Sequence, residues 1–287
     1  MVGAAIAVLL SCAALAALIF GSGLWGDSER RAIDWQRSVN FERAYAGLAL
    51  PGTPDLAGLD SRLAANGLKL GAPVLIRIYK REFELELWMA RDGRFMKFAS
   101  YPICRWSGWL GPKLKAGDRQ APEGFYAVGA SQMNPNSRWH RSFNLGFPNA
   151  YDSYHGRTGA ALMVHGGCSS AGCYAMTNAV IDEIWRLTTA ALAGKQKAFQ
   201  VQVYPFRMSE ENFAAHQSDP QVPFWRQLKE GSDLFEASWI PPAVGVCQGR
   251  YRFKAGVSSD AVAAFNPGCG PGGSALMKPE DGAKKAL

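Results

Sequence analysis

From Pro73 the chain alternates with a period of two: Val74, Ile76 and Ile78 interleave with Leu75, Arg77 and Tyr79, and Phe83, Leu85 and Leu87 interleave with Glu84, Glu86 and Trp88. That period predicts two strands, and Lys80-Arg81 between them reads as a hairpin turn. Residues 95–101, 124–130 and 161–164 add strand candidates, so the core is expected to be mainly antiparallel β. The period then becomes helical. Val180, Ile181, Ile184, Trp185, Leu187 and Leu192 recur at three- and four-residue intervals, with Thr177 placed to cap the helix and Gly194 to end it. Phe199, Val201 and Val203 alternate with Gln200 and Gln202 as a closing strand.

The flanks read differently. Ile33, Val39, Phe41 and Tyr45 lie at helical intervals among charges within residues 27–47, which predicts a short helix leading away from a membrane. Residues 48–72 connect it to the main domain through turns and a second helix near 59–68. After Phe206 the chain is helical and polar, then proline-bearing at 240–242, with a last short strand near 249–253. From Lys254 it is rich in Ala, Gly, Pro and Lys, the composition of a disordered tail. Residues 1–26 precede the first charged side chain, Asp27, and are mostly apolar and about long enough to cross a bilayer. They read as a signal peptide or membrane anchor, although the usual leading Lys or Arg is missing and Cys12 comes too early for a lipoprotein site. The expected organisation is therefore 1–26 signal or anchor, 27–72 helical linker, 73–206 main domain, 207–253 C-terminal extension packed on it, and 254–287 tail.

Composition changes this picture little. The 287 residues are 48% hydrophobic and 19% charged, as in a globular protein. The net charge of +7 is scattered, with no basic run beyond Lys284-Lys285. That argues against nucleic acid and leaves an anionic polymer or an acidic small substrate as partner. Cys12 lies in the N-terminal segment, leaving Cys104, Cys168, Cys173, Cys247 and Cys269. With one of these as a nucleophile, four remain and allow three full pairings; the competing reading is reduced, packed thiols.

The candidate chemistry sits in residues 163–178, MVHGGCSSAGCYAMTN. Cys173 must be deprotonated to attack, and His165, across a loop containing Gly166, Gly167 and Gly172, is the nearest base. The helix starting near Thr177 adds positive potential, and the amides of Gly172, Cys173 and Tyr174 are candidates for an oxyanion site, so acyl transfer is the natural reaction class. Three other readings stay open: a structural histidine and thiol, a zinc site from Cys104, His165, Cys168 and Cys173, and a reversible Cys168–Cys173 disulfide that masks the nucleophile. His155 competes as base or substrate contact. His140 and His216, in polar surroundings, have nothing to recommend them, and Trp106 and Trp109 read as packing or as a groove wall.

The run Met163-Val164-His165-Gly166 followed by Ser170-Ala171-Gly172-Cys173 resembles the signature of the YkuD-type L,D-transpeptidase catalytic domain. Ala121-Pro122-Glu123-Gly124-Phe125-Tyr126 is similar to that family's proline-x-glycine-aromatic strand start. YPICRWSGWLGPKLKAGDRQAPEGFY, SQMNPNSRWHRSFNLGFPNAYD, HGRTG and the stretch from PFWRQLKEG to VCQGRY resemble its YafK branch, which includes a murein-lipoprotein amidase. The likeness runs from about Pro73 to Phe253. It implies a mainly β (α+β) fold, a YkuD-type β-sandwich catalytic domain with a helix following the nucleophile loop and a helical C-terminal extension. It further implies Cys173 as acyl-accepting nucleophile, His165 as general base and later acid, the Gly166 carbonyl orienting the imidazole, and Gly172 leading into the nucleophile. Ala171 departs from the pattern, since most members carry a second histidine there.

The implied substrate is a peptidoglycan stem peptide with meso-diaminopimelate, whose L-centre carbonyl forms a thioester with Cys173. Transfer to an amine gives transpeptidation and transfer to water gives hydrolysis, with murein lipoprotein a possible partner in either. Arg119, Arg138 and Arg157, with Lys113 and Arg141, become candidate carboxylate clamps, and Tyr154 and Ser170 candidate contacts. No cofactor and no metal is implied. The expected location is the periplasm, reached by export or by tethering to the inner membrane. A non-catalytic module that binds peptidoglycan or zinc is the reading from another class.

Overall fold

The period-two stretch forms β1 (Val74–Tyr79) and β2 (Glu84–Arg91), paired antiparallel with Ile76 opposite Leu87 and Ile78 opposite Leu85. Both belong to a computed structural model that describes residues 24–194, 196–256 and 274–275. With β3 (Arg94–Pro102), β5 (Gly124–Gly129) and β10 (Ala198–Tyr204) they make one five-stranded sheet in the order β3-β2-β1-β10-β5. A second five-stranded sheet runs β4 (Arg105–Trp106), β9 (Tyr174–Ala175), β8 (Met163–His165), β7 (His140–Asn144) and β6 (Met133–Ser137). Phe143 of β7 meets Phe199 of β10 edge to face at 5.4 Å, where the sheets share one core. The fold is thus mixed α/β and rich in sheet, as the resemblance implied.

Two strand pairs depart from the antiparallel expectation: β1 with β10 and β8 with β9 are parallel. Parallel neighbours need a long crossover, and most of the domain lies between β1 and β10. The alternation in β1 also has another meaning than a solvated face, because all six residues are buried. Ile76 and Ile78 face the shared core, whereas Arg77 faces the C-terminal helix and donates to Ser232 Oγ at 2.7 Å and Glu236 Oε1 at 3.0 Å. Lys80, expected in an open turn, is fully buried; its ammonium donates to Trp109 O, Gly111 O and Glu123 Oε1 at 2.8 to 3.0 Å. Glu123 in turn accepts from Gly111 N at 2.7 Å and Trp225 Nε1 at 2.8 Å, so every strong group there is paired.

Among the described residues six α-helices surround the sheets. The first, α1 (Leu24–Tyr45), lies against the domain through polar contacts. Asn40 donates to Ile103 O at 3.0 Å, Arg37 to Gly108 O at 2.7 Å, and Glu29 accepts from Arg81 and His216. Its expected apolar side divides, since Ile33 is buried while Phe41 and Tyr45 are exposed. His216 keeps polar partners in Glu29 and the Asn212 carbonyl but is buried and stacked on Phe206 at 4.5 Å.

Next come α2 (Leu59–Ala65) and α3 (Ala150–Tyr154). The helix predicted after Thr177 is α4 (Asn178–Ala193); Thr177 Oγ1 accepts from Val180 N, and Val180, Ile181, Ile184 and Leu187 bury its apolar stripe. α5 (Glu210–Ala215) and α6 (Val222–Ser238) form the C-terminal extension. It ends in a hairpin, β11 (Ala243–Cys247) and β12 (Arg250–Lys254), whose first strand also pairs β13 (Ser274–Ala275). Among the described residues no helix is long and apolar enough to cross a membrane. The expected signal or anchor lies outside the described residues up to position 23, and so does the expected tail beyond 256 apart from β13.

Candidate active site

β8 delivers His165 and β9 follows directly on Cys173, and these strands are hydrogen-bonded neighbours with His165 opposite Ala175. Cys173 lies immediately before β9, whose Tyr174 and Ala175 pair with Val164 and His165, so the two residues sit on adjoining segments of neighbouring strands. A strand spacing of about 4.8 Å and a two-residue offset of about 6.6 Å separate the two Cα atoms by about 8 Å, within reach of two side chains. The parallel β8–β9 pair therefore does what the intervening glycine loop was expected to do.

His165 is almost wholly buried, with Nδ1 donating to Gly166 O at 2.5 Å. That bond places the proton on Nδ1 and leaves Nε2 as the lone-pair acceptor. Burial holds the imidazole below its ordinary pKa, against the smaller upward pull of the Gly166 carbonyl. Cys173 is half-buried, its Sγ 3.8 Å from Ala161 O. Burial raises its thiol, offset in part by a hydrogen bond from the Met163 amide and by the charge of Lys113. Both shifts favour neutral groups, so the resting pair is thiol and imidazole.

The nucleophile turn is tied to itself. Ser170 Oγ donates to Cys173 O at 2.7 Å and accepts from Cys173 N at 3.1 Å and Gly172 N at 3.4 Å. Ser170 thus shapes the loop instead of facing substrate, and two of the three amides expected to stabilise an oxyanion point at its hydroxyl. Gly172, at φ +130, takes a conformation that side-chain-bearing residues rarely adopt. At the loop's other end Cys168 is bonded to Cys104 in a disulfide, Cα to Cα 5.2 Å. This overturns both the zinc reading and the reversible Cys168–Cys173 bridge, because Cys104 and Cys168 are consumed in one another. Among the described residues no cluster of three or more His, Cys, Asp or Glu is placed to hold a metal. Cys247 is disulfide-bonded as well, so the reduced-thiol reading also fails.

Trp139 was missed in the sequence. It sits in the β6–β7 turn, stacks on His165 with ring centroids 5.8 Å apart, and its carbonyl accepts from Gly166 N at 3.1 Å. Asp182 of α4 fixes the same turn by accepting from His140 at 2.8 Å and Arg141 at 3.0 Å. Asn178 Oδ1, at the start of α4, accepts from Gly167 N at 2.9 Å. His165 is therefore held from its ring face, from the next peptide and from the helix.

The candidate clamps divide. Arg157 is buried, paired with Asp152 at 2.8 Å and laid over Tyr151 and Phe224, which removes it from the substrate surface. Arg141 is held by Asp182, and Lys113 is buried against Asp118. Arg119 is exposed on a left-handed backbone at φ 53, and Arg138 is exposed with its guanidinium 5.5 Å from the Trp139 ring. Tyr154 packs on Gly249 of the C-terminal hairpin, as does His155, whose Nε2 meets Gly249 O at 2.8 Å; neither is drawn to His165. Trp106 is buried in the core, and Trp109 packs partly buried against it.

A profile of the YkuD family, the L,D-transpeptidase catalytic domain, matches residues 74–203, a span that contains both His165 and Cys173. The chain is 47% identical over 193 residues to the Escherichia coli K12 protein named "Putative L,D-transpeptidase YafK", a match covering 67% of this chain and 78% of that protein. The chain belongs to the L,D-transpeptidase family. The counterpart from Escherichia coli O157:H7 gives the same identity and coverage. Among solved structures, the helical cell shape determining protein Pgp2 from Campylobacter jejuni is 22% identical at a TM-score of 0.38, over 61% of this chain and 65% of that one, just under two thirds of its length.

Proposed function

We propose that this L,D-transpeptidase family member is an exported cysteine acyl-transfer enzyme that opens the amide at the L-centre carbonyl of meso-diaminopimelate in peptidoglycan stem peptides, releasing lipoprotein from murein. What supports the reading is the pairing of β8 with β9, which brings the segments bearing His165 and Cys173 together, with Nε2 of His165 left as acceptor. His165 Nε2 takes the thiol proton as Sγ bonds to the carbonyl carbon. The C–N bond then breaks and the amine leaves with that proton, giving a thioester. Water attacks the thioester, passing a proton to Nε2, and the C–S bond breaks as that proton returns to sulfur. Arg119 and Arg138, exposed near these loops, would hold stem-peptide carboxylates. The Cys104–Cys168 disulfide supports an oxidising compartment such as the periplasm, reached through residues 1–26.

A second reading, transfer of the acyl group to an amine, is favoured by the name borne by the Escherichia coli relatives. Incubation with muropeptides carrying a residual lipoprotein dipeptide, followed by mass analysis, separates the two. Free tripeptide is expected, cross-linked or exchanged product would indicate transpeptidation, and turnover unchanged in Cys173→Ala would overturn both.

A further inference from the structure

Away from the catalytic pair, the β2–β3 hairpin and the end of α6 enclose a groove of about 510 Å³. Its floor is aromatic: Trp239 stacks on Trp88 with centroids 5.4 Å apart and planes 18° from parallel. Trp88 is 8% exposed, whereas Trp239 is 39% exposed and offers a ring face to solvent. The backbone holding Trp239 there is unusual. It is the C-cap of α6 at φ 57 and ψ 27, a left-handed position that glycine fills at most helix ends and that a bulky side chain occupies under strain. Its carbonyl accepts from Phe95 N at 2.7 Å, which fixes it to the hairpin.

Charge defines the rim. Arg91, Arg94 and Lys97 line the groove against the one carboxylate of Asp92. Arg91 pairs with Asp92 and Lys97 with Glu86, while Arg94 has no carboxylate partner among the described residues. A flat, half-exposed indole matches the apolar C–H face of a pyranose ring, and a net-positive rim matches carboxylates. An amino-sugar chain presents both, its carboxylates being lactyl groups where the chain is bare and stem-peptide groups where it is substituted. β3 runs from Arg94 at the groove to Pro102, eight steps of about 3.3 Å, or about 26 Å, before the chain reaches Cys104 beside the nucleophile loop. The groove is too far from Cys173 to belong to the stem-peptide site, and at the right scale for a second contact on one polymer.

We propose that the Trp88–Trp239 groove binds the glycan strand of peptidoglycan while Cys173 acts on a stem peptide; this rests on the reading of peptidoglycan as substrate. Two contacts on one polymer raise avidity without any new chemistry. The test uses the full chain with Cys173→Ala and glycan strands stripped of stem peptides, with binding read by tryptophan fluorescence and calorimetry. Trp239→Gly suits the left-handed backbone and should fold normally, as circular dichroism would check, and Arg94→Glu provides a second variant independent of that site. Each is expected to weaken glycan binding at least tenfold. With Cys173 restored, Trp239→Gly is expected to lose turnover on intact sacculi while keeping it on soluble muropeptides. Absence of glycan binding by the parent, or affinity unchanged in both variants, would overturn the proposal. Glycan binding without muropeptide turnover would sink the enzymatic reading and leave the groove standing.

Discussion

The protonation state of the Cys173–His165 pair yields the sharpest prediction. With ordinary values near 8.5 for a thiol and 6.5 for an imidazole, moving the proton from sulfur to nitrogen crosses about two pKa units, or about 2.7 kcal/mol. Burial shifts Cys173 up and His165 down, so both shifts widen that gap. The ion pair is then a minor part of the resting population, and the thiolate is scarcer at neutral pH than for an ordinary thiol. Iodoacetamide alkylation of the unliganded protein should therefore rise with one inflection above the ordinary thiol range. His165→Ala should hardly move that inflection while lowering acyl transfer by about 100-fold or more. Because burial disfavours the imidazolium, kcat/KM should rise through a base limb below the ordinary imidazole range and stay level across neutrality. Alkylation that plateaus with an inflection near pH 4 to 5, abolished by His165→Ala, would refute the neutral pair and require a preformed thiolate.

Three further outcomes follow from particular contacts. Trp139→Ala removes the ring stacked on His165 and should lower kcat about tenfold with KM and the alkylation inflection little changed, read by steady-state kinetics. Cys104→Ser with Cys168→Ser frees a bridge spanning 64 positions and should cost about 2 to 4 kcal/mol in urea unfolding, with activity falling as the nucleophile loop loosens. Lys80→Met leaves the carboxylate of Glu123 buried without its cation and should cost about 3 to 5 kcal/mol, whereas adding Glu123→Leu should recover part of that loss; a double-variant loss equal to the sum of the two single losses would show that the pair is not coupled.

Legibility in the sequence followed the range of the interaction. The alternation at Ile76 and Ile78, and the helix from Thr177 with its stripe of Val180, Ile184 and Leu187, are local patterns and were read within a few residues of their observed bounds. β6 was not, because Asn134-Pro135-Asn136 is poor strand sequence and survives only at a sheet edge. The parallel joining of β1 to β10 leaves no local mark, since Ile76 meets Val201 far along the chain. At the site, histidine, glycine and cysteine types announced the chemistry, but Trp139 reaches His165 only because a hairpin folds over it. The choice of Cys104 for Cys168 among three pairings was long-range too. Arg157 is different: Asp152, five positions earlier, was a visible signal that the guanidinium had a partner inside the chain.

The Cys104–Cys168 bridge finally bears on when the catalytic loop can exist. Three thiols converge as the second sheet closes, and the wrong partner for Cys168 is also the nearest along the chain, only five positions away at Cys173. The β8–β9 pairing, with Cys104 N bonded to Ala175 O at 2.9 Å and Cys168 N to Met176 O at 3.2 Å, brings the correct sulfurs together and keeps the third on its own strand end. Sheet assembly thus acts as the chaperone of the oxidation, and a chain oxidised before its sheet has closed would spend Cys173 as a cross-link.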